Sequence, residues 1–122
     1  MSLAFVGDAV YSLMIRQYLV SEKRYSVSRL NSLSVHYVSA KGQFAALKLI
    51  EPLLTEEEDS WVKRGRNTSK ATVAKHAAPE EYRASTGFEC LFGYLKLTGQ
   101  EDRINYLVNF ILENTDIEIP AN

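Results

Sequence analysis

The segment Leu3-Ala4-Phe5-Val6-Gly7-Asp8-Ala9-Val10-Tyr11, near the start of the 122-residue chain, carries apolar residues on too many sides for an ordinary surface helix. Wound at about 100° per residue, Ala4, Phe5, Ile15 and Leu19 share a face with Asp8, while Leu3, Val6, Val10 and Leu13 crowd the opposite one. A helix apolar nearly all round is a buried helix, so the rest of the chain has to wrap it. An ionisable Asp8 in its middle is costly unless a metal, a basic partner or hydrogen bonds compensate the charge. Two readings follow from that position alone: a core Asp bonded to backbone or to an Arg, and a ligand.

The remaining patterning is helical throughout. After the first helix, from about Leu3 to Val20, a polar loop Ser21–Tyr25 leads to a second helix capped by Ser26 or Ser28 and running through Val38. A third starts at Ser39 or Ala40 and repeats Phe44, Leu47, Ile50 and Leu54, with a break or bend predicted at Glu51-Pro52. Thr55-Glu56-Glu57-Glu58 has the form of a capping box, which makes this acidic run a helix start before it is a metal site. That fourth helix passes Trp61 and Val62 and is predicted to stop in Lys63-Arg64-Gly65-Arg66-Asn67. Pro79 opens a fifth helix, a sixth follows Gly99 through Leu112, and Thr115 to Asn122 form a tail. Period-two alternation is nowhere sustained and no Asn-Gly hairpin signal occurs, so the fold class is all-α, with about six or seven helices.

With a formal net charge of −1, any site for a polyanion has to be local. Lys63, Arg64, Arg66, Lys70 and Lys75 supply one, with no acid between Lys63 and Lys75. Lacking apolar periodicity, this stretch reads as a long basic loop for phosphate contacts; a merely solvated loop is the alternative. A single cysteine, Cys90, excludes an internal disulfide and suits a reducing compartment. The longest apolar runs are far short of a membrane span, so the expected address is the cytoplasm, without a membrane partner.

A second carboxylate of interest lies in the fifth helix. Ala84, Phe88, Leu91, Phe92 and Leu95 make its apolar face, whereas Glu89 shares a small, polar strip with Tyr82, Ser85, Thr86, Gly93 and Lys96. Gly7, Gly87 and Gly93 sit inside helices, where glycine costs about 1 kcal/mol against alanine unless close approach repays it. The helices bearing Asp8 and Glu89 are therefore expected to cross closely. Two such carboxylates suit Mg²⁺, whose octahedron is otherwise filled by waters and substrate phosphates. Beside a basic loop they suggest metal-assisted phosphodiester chemistry. The first, fifth and sixth helices also carry more apolar surface than one small domain is expected to cover, Phe92 and Tyr94 included, which predicts a partner surface.

Leu3–Val10 resembles the signature helix of the ribonuclease III family, and Phe88-Glu89-Cys90-Leu91-Phe92-Gly93-Tyr94-Leu95 resembles that family's second catalytic helix. Val38-Ser39-Ala40-Lys41, Lys63-Arg64-Gly65-Arg66-Asn67 and Tyr82–Glu89 look like its small bacterial branch, Mini-ribonuclease III. The larger enzymes usually place a Glu four residues before the Asp, where this chain has Ala4, and an Asp three before the Glu, where it has Thr86. The small branch keeps one Asp and one Glu, here Asp8 and Glu89.

The resemblance implies a ribonuclease III-like endonuclease domain spanning residues 1–122, without a double-stranded-RNA-binding domain. It further implies a homodimer that cleaves double-stranded RNA with Mg²⁺, or Mn²⁺ as a substitute, leaving 5′ phosphates. Asp8 and Glu89 would be the catalytic metal ligands; Lys63, Arg64, Arg66, Asn67, Lys70 and Lys75 would hold RNA. The implied natural substrate is a bacterial ribosomal RNA precursor, in maturation of the large-subunit RNA. The rival reading is a non-catalytic RNA-binding or ribosome-assembly module that keeps the fold without the chemistry.

Overall fold

The computed structural model describes residues 2–22, 24–68 and 79–115. The elements are α1 (Ser2–Glu22), α2 (Val27–Val38), α3 (Ala40–Ile50), a 3-10 turn at Glu51–Leu53, α4 (Glu56–Thr68), α5 (Pro79–Leu97) and α6 (Glu101–Glu113). No strand occurs among the described residues. The central element is α5, against which α1, α3 and α4 all pack. It buries Ala84, Phe88, Leu91, Phe92 and Leu95 completely. Phe88 and Phe92 stack about Tyr11 of α1, the Tyr11–Phe88 rings meeting edge to face at 4.7 Å.

Glycines decide how closely the helices cross α5. A Cβ on Gly7 would overlap the Glu89 carbonyl oxygen, and one on Gly93 would overlap the Leu3 carbonyl oxygen, so α1 and α5 meet backbone to backbone. A Cβ on Gly65 of α4 would stand 2.7 Å from the Gly87 Cα. Close approach at these positions offsets the helix propensity that glycine forgoes.

Local signals place the helix starts. Ser26 caps α2 by accepting from the Arg29 N–H at 3.2 Å, and Ser39 caps α3 by accepting from Gly42 N–H at 3.1 Å. At α4 the capping box is complete: Glu58 N–H donates to Thr55 Oγ1, and Thr55 N–H donates to Glu58 Oε1. Glu58 is also buried, and Arg103 of α6 donates to both its oxygens at 2.8 Å. Pro52 sits in the 3-10 turn that ends α3, where the bend was expected. The Cys90 thiol is buried.

Three expectations need correction. First, α1 is not buried on every side. Its buried stripe is Gly7, Tyr11, Ile15 and Leu19, while Asp8 is exposed and Phe5 keeps 83 % of its surface in solvent. Second, α4 does not stop at Gly65 but continues to Thr68, because Gly65 is a buried contact with α5 and not a terminus. Third, Phe92 is fully buried and offers no partner surface, whereas Tyr94 is partly buried and stacks on Trp61; Phe5, Leu13, Val20, Leu97 and Tyr106 are the large exposed apolar groups on α1, α5 and α6.

Candidate active site

Asp8 follows the glycine at which α1 touches α5, and Glu89 carries the carbonyl that this glycine touches. The crossing thus brings two side chains distant in sequence to one spot. The Asp8 and Glu89 carboxyls lie within hydrogen-bonding reach of each other. Asp8 is on the solvent side and Glu89 is half-buried behind it.

A neighbouring acid disfavours the charged form of a half-buried carboxyl. Burial, followed by hydrogen bonding to and repulsion from Asp8, pushes the Glu89 carboxyl up to about 8. Gln43 of α3 opposes this, donating from Nε2 to Glu89 Oε2 at 3.4 Å. Among the described residues no ion pair engages either acid. Nor is there among them a cluster of three or more His, Cys, Asp or Glu side chains that could hold a metal ion. Two hard carboxylate oxygens, one exposed and one half-buried, fit a Mg²⁺-like cation, which is commonly held by one or two carboxylates and keeps several waters. A cation there would supply the positive charge that the protein does not.

The residues expected to bind RNA fall into two groups. Lys63, Arg64, Arg66 and Asn67 lie on the last turns of α4, not on a loop. Lys63 pairs with Asp59 one turn earlier at 2.9 Å, and the Arg64 guanidinium lies 4.8 Å from the Trp61 ring centre. Arg66 is half-buried, its Cγ 3.0 Å from where a Gly87 Cβ would stand. Lys70 and Lys75 lie outside the described residues. Gly65 of the same turn meets Gly87 and Cys90, which places the basic end of α4 within one turn of Glu89 along α5.

Gln43 is the site residue that sequence reasoning missed. It is 1 % exposed and shares the core stripe of α3 with Ala46, Leu47 and Ile50. A carboxamide at a core position of an amphipathic helix was the available signal.

The architecture is that of an all-helical nuclease domain: a ribonuclease III domain model matches residues 1–100. Proteins named Mini-ribonuclease 3 are similar along nearly the whole chain. The one from Enterococcus faecalis is 45% identical over 115 residues, covering 93% of this chain and 87% of its own length. That from Streptococcus pneumoniae is 44% identical over 117 residues, covering 94% and 91%. A crystal structure of a Fusobacterium nucleatum protein superposes with a TM-score of 0.83 at 32% identity, covering 91% of this chain and 88% of that one. The chain belongs to the ribonuclease III family. It is an endoribonuclease of double-stranded RNA. The family depends on divalent metal ions and is typically dimeric. Among the described residues no helix is long and apolar enough to cross a membrane.

Proposed function

We propose that Asp8 and Glu89 hold the catalytic cation, Mg²⁺ with Mn²⁺ as a substitute, and that the chain so loaded cleaves double-stranded RNA to leave 5′ phosphates. The observation that carries this reading is the acid pair itself: two carboxyls in mutual reach, one half-buried, with no ion pair to either among the described residues. When bound, the cation supplies a water activated for attack on phosphorus and charge to stabilise the departing oxygen. The chain's own part is to hold the acids. The glycine crossing fixes the distance between α1 and α5, Glu89 is held half-buried, and Asp8 stays open to solvent.

Duplex RNA would be gripped by Lys63, Arg64, Arg66 and Asn67 of α4, together with Lys70 and Lys75. Phosphate and 2′-hydroxyl contacts of this kind read A-form shape more than sequence. The active species is a homodimer, for which Phe5 and Leu13 of α1 and Tyr106 of α6 offer exposed apolar surface. Its substrate in the bacterial cytoplasm is a large-subunit ribosomal RNA precursor, a reading supported by similarity to the small bacterial branch.

A long RNA duplex incubated with the protein, with and without Mg²⁺, tests the chemistry. Shortening only with Mg²⁺, abolished by Glu89→Gln while the gel shift persists in Ca²⁺, is the expected result. Undiminished cleavage by the Glu89→Gln protein overturns the assignment.

A further inference from the structure

We propose that Gln43 is a positioning residue for Glu89: its carboxamide fixes the direction in which the Glu89 carboxylate faces the cation. The proposal rests on the reading of Asp8 and Glu89 as the metal-holding pair.

The amide is oriented by its neighbours. Nε2 donates to the Val38 carbonyl oxygen at 3.3 Å and to Glu89 Oε2 at 3.4 Å. A carbonyl can only accept, so the Val38 contact assigns the nitrogen to this side, and the second N–H of the same nitrogen is the one aimed at Glu89. The platform beneath is stiff. Ser39 ends α2 and caps α3, and a Cβ on Gly42 would stand 2.8 Å from the Tyr37 carbonyl oxygen, so the α2–α3 corner is closed tightly behind Gln43. Gln43 thereby ties the end of α2 and the start of α3 to one oxygen of Glu89, a residue 46 positions away in sequence.

A purely structural role does not explain the choice of residue. Gln43 is 1 % exposed, and its Oε1 is buried without a hydrogen-bond partner among the described residues. Methionine would fill nearly the same volume on this stripe without burying an unpaired oxygen. What glutamine adds is a neutral donor. A Lys or Arg there would neutralise Glu89 and compete with the cation; an amide engages one oxygen and leaves the charge for the metal. Partners that orient metal ligands in this way are typically worth about 10- to 100-fold in metal affinity.

The test is Mn²⁺ titration of the RNA-free protein by calorimetry, for wild type, Gln43→Met, Gln43→Asn and Glu89→Gln. Gln43→Met removes the donor, and Gln43→Asn keeps it but shortens its reach by one methylene. Both are expected to weaken Mn²⁺ binding by about 10-fold or more. The metal concentration for half-maximal cleavage should rise in parallel, with KM for duplex RNA at saturating metal unchanged. A folded Gln43→Met protein with wild-type Mn²⁺ affinity overturns the proposal. If Gln43→Met does not fold, Gln43→Asn decides on the same terms, and failure of both to fold would assign Gln43 to the core and overturn it too. Glu89→Gln separates the two levels: wild-type Mn²⁺ affinity in that variant refutes the acid pair as the metal site, whatever Gln43 does.

Discussion

Glu58, in the first turn of α4, accepts two hydrogen bonds from Arg103 and one from the Thr55 N–H. Glu89, in the middle of α5, faces Asp8 and the Gln43 amide instead. Burial raises the carboxyl of each. At Glu58 the Arg103 and Thr55 hydrogen bonds more than offset it and hold the group below the ordinary range; at Glu89 the neighbouring acid adds to it. The same residue type is thus complete within the protein at one place and incomplete at the other. A buried acid given a guanidinium is a structural tie, here between α4 and α6. A half-buried acid given a second acid is, on the proposed reading, a place for an outside cation.

The strongest way to break this contrast is to neutralise the two acids in turn. Asp8→Asn or Glu89→Gln should lower duplex cleavage at least about a thousand-fold, some 4 kcal/mol of transition-state stabilisation, while dimerisation and duplex binding persist. Single-turnover cleavage together with a gel shift in Ca²⁺ measures both. Glu58→Gln should do the reverse. It leaves Arg103 without its counter-charge and should destabilise the fold by about 3 kcal/mol, the low end for a broken buried pair because Arg103 keeps some solvent contact. Thermal melting would show a drop of roughly 10 °C, and cleavage at a permissive temperature should keep its metal dependence. A Glu58→Gln protein that melts normally but loses metal-dependent cleavage would erase the distinction between the two glutamates.

Stability against pH sharpens it further, because the two shifts have opposite signs. Glu89 has a raised carboxyl, so the stability it contributes is full below the ordinary glutamate range and is lost as pH rises through about 8. Glu58 has a lowered one, so its contribution is full above the ordinary range and is lost as the solution becomes acid. The metal-free protein should therefore melt lower at pH 9 than at pH 6. Glu89→Gln should remove that alkaline loss, and Mg²⁺ should reverse it in the wild type. An identical alkaline drop in the Glu89→Gln protein would assign it to other groups.

Most of the helices and their starts were legible because they are local: Ser26, Ser39 and the Thr55–Glu58 box lie within a turn of the N–H groups they cap. Glycine spacing likewise announced the α1–α5 crossing. What stayed hidden depends on which surface meets which. On α1 the apolar residues on two faces look alike in sequence, yet Tyr11, Ile15 and Leu19 face the core whereas Phe5, Leu13 and Asp8 face outward. Gly65 followed by Arg66 and Asn67 has the form of a helix stop, and only the position of Gly87 across the interface shows why the helix runs on. The Glu58–Arg103 tie and the Gln43–Glu89 contact join residues more than forty positions apart, beyond any periodicity.

The smallest expected effect concerns the basic turn of α4, and it decides whether the site extends beyond its acids. Lys63 already has Asp59, and Arg64 lies over Trp61, so replacing either would disturb the helix and RNA binding together. Arg66 and Lys70 are the cleaner pair. Glutamine at both positions keeps a long stem, which matters because the Arg66 stem packs beside Gly87. If both touch phosphate, the double variant should weaken unrelated duplexes about equally, since phosphate binding carries no direct sequence information. The slope of log affinity against log salt should become shallower by roughly 0.9 for each phosphate no longer neutralised, a value established for DNA duplexes. The cleavage rate of RNA already bound should stay within about twofold, because the Asp8–Glu89 pair is untouched. A slope that does not change would show that this end of α4 is solvated and that RNA is gripped elsewhere on the domain. A changed slope with a collapsed rate would instead mean that the basic turn reaches the acids it adjoins, making the two regions one site.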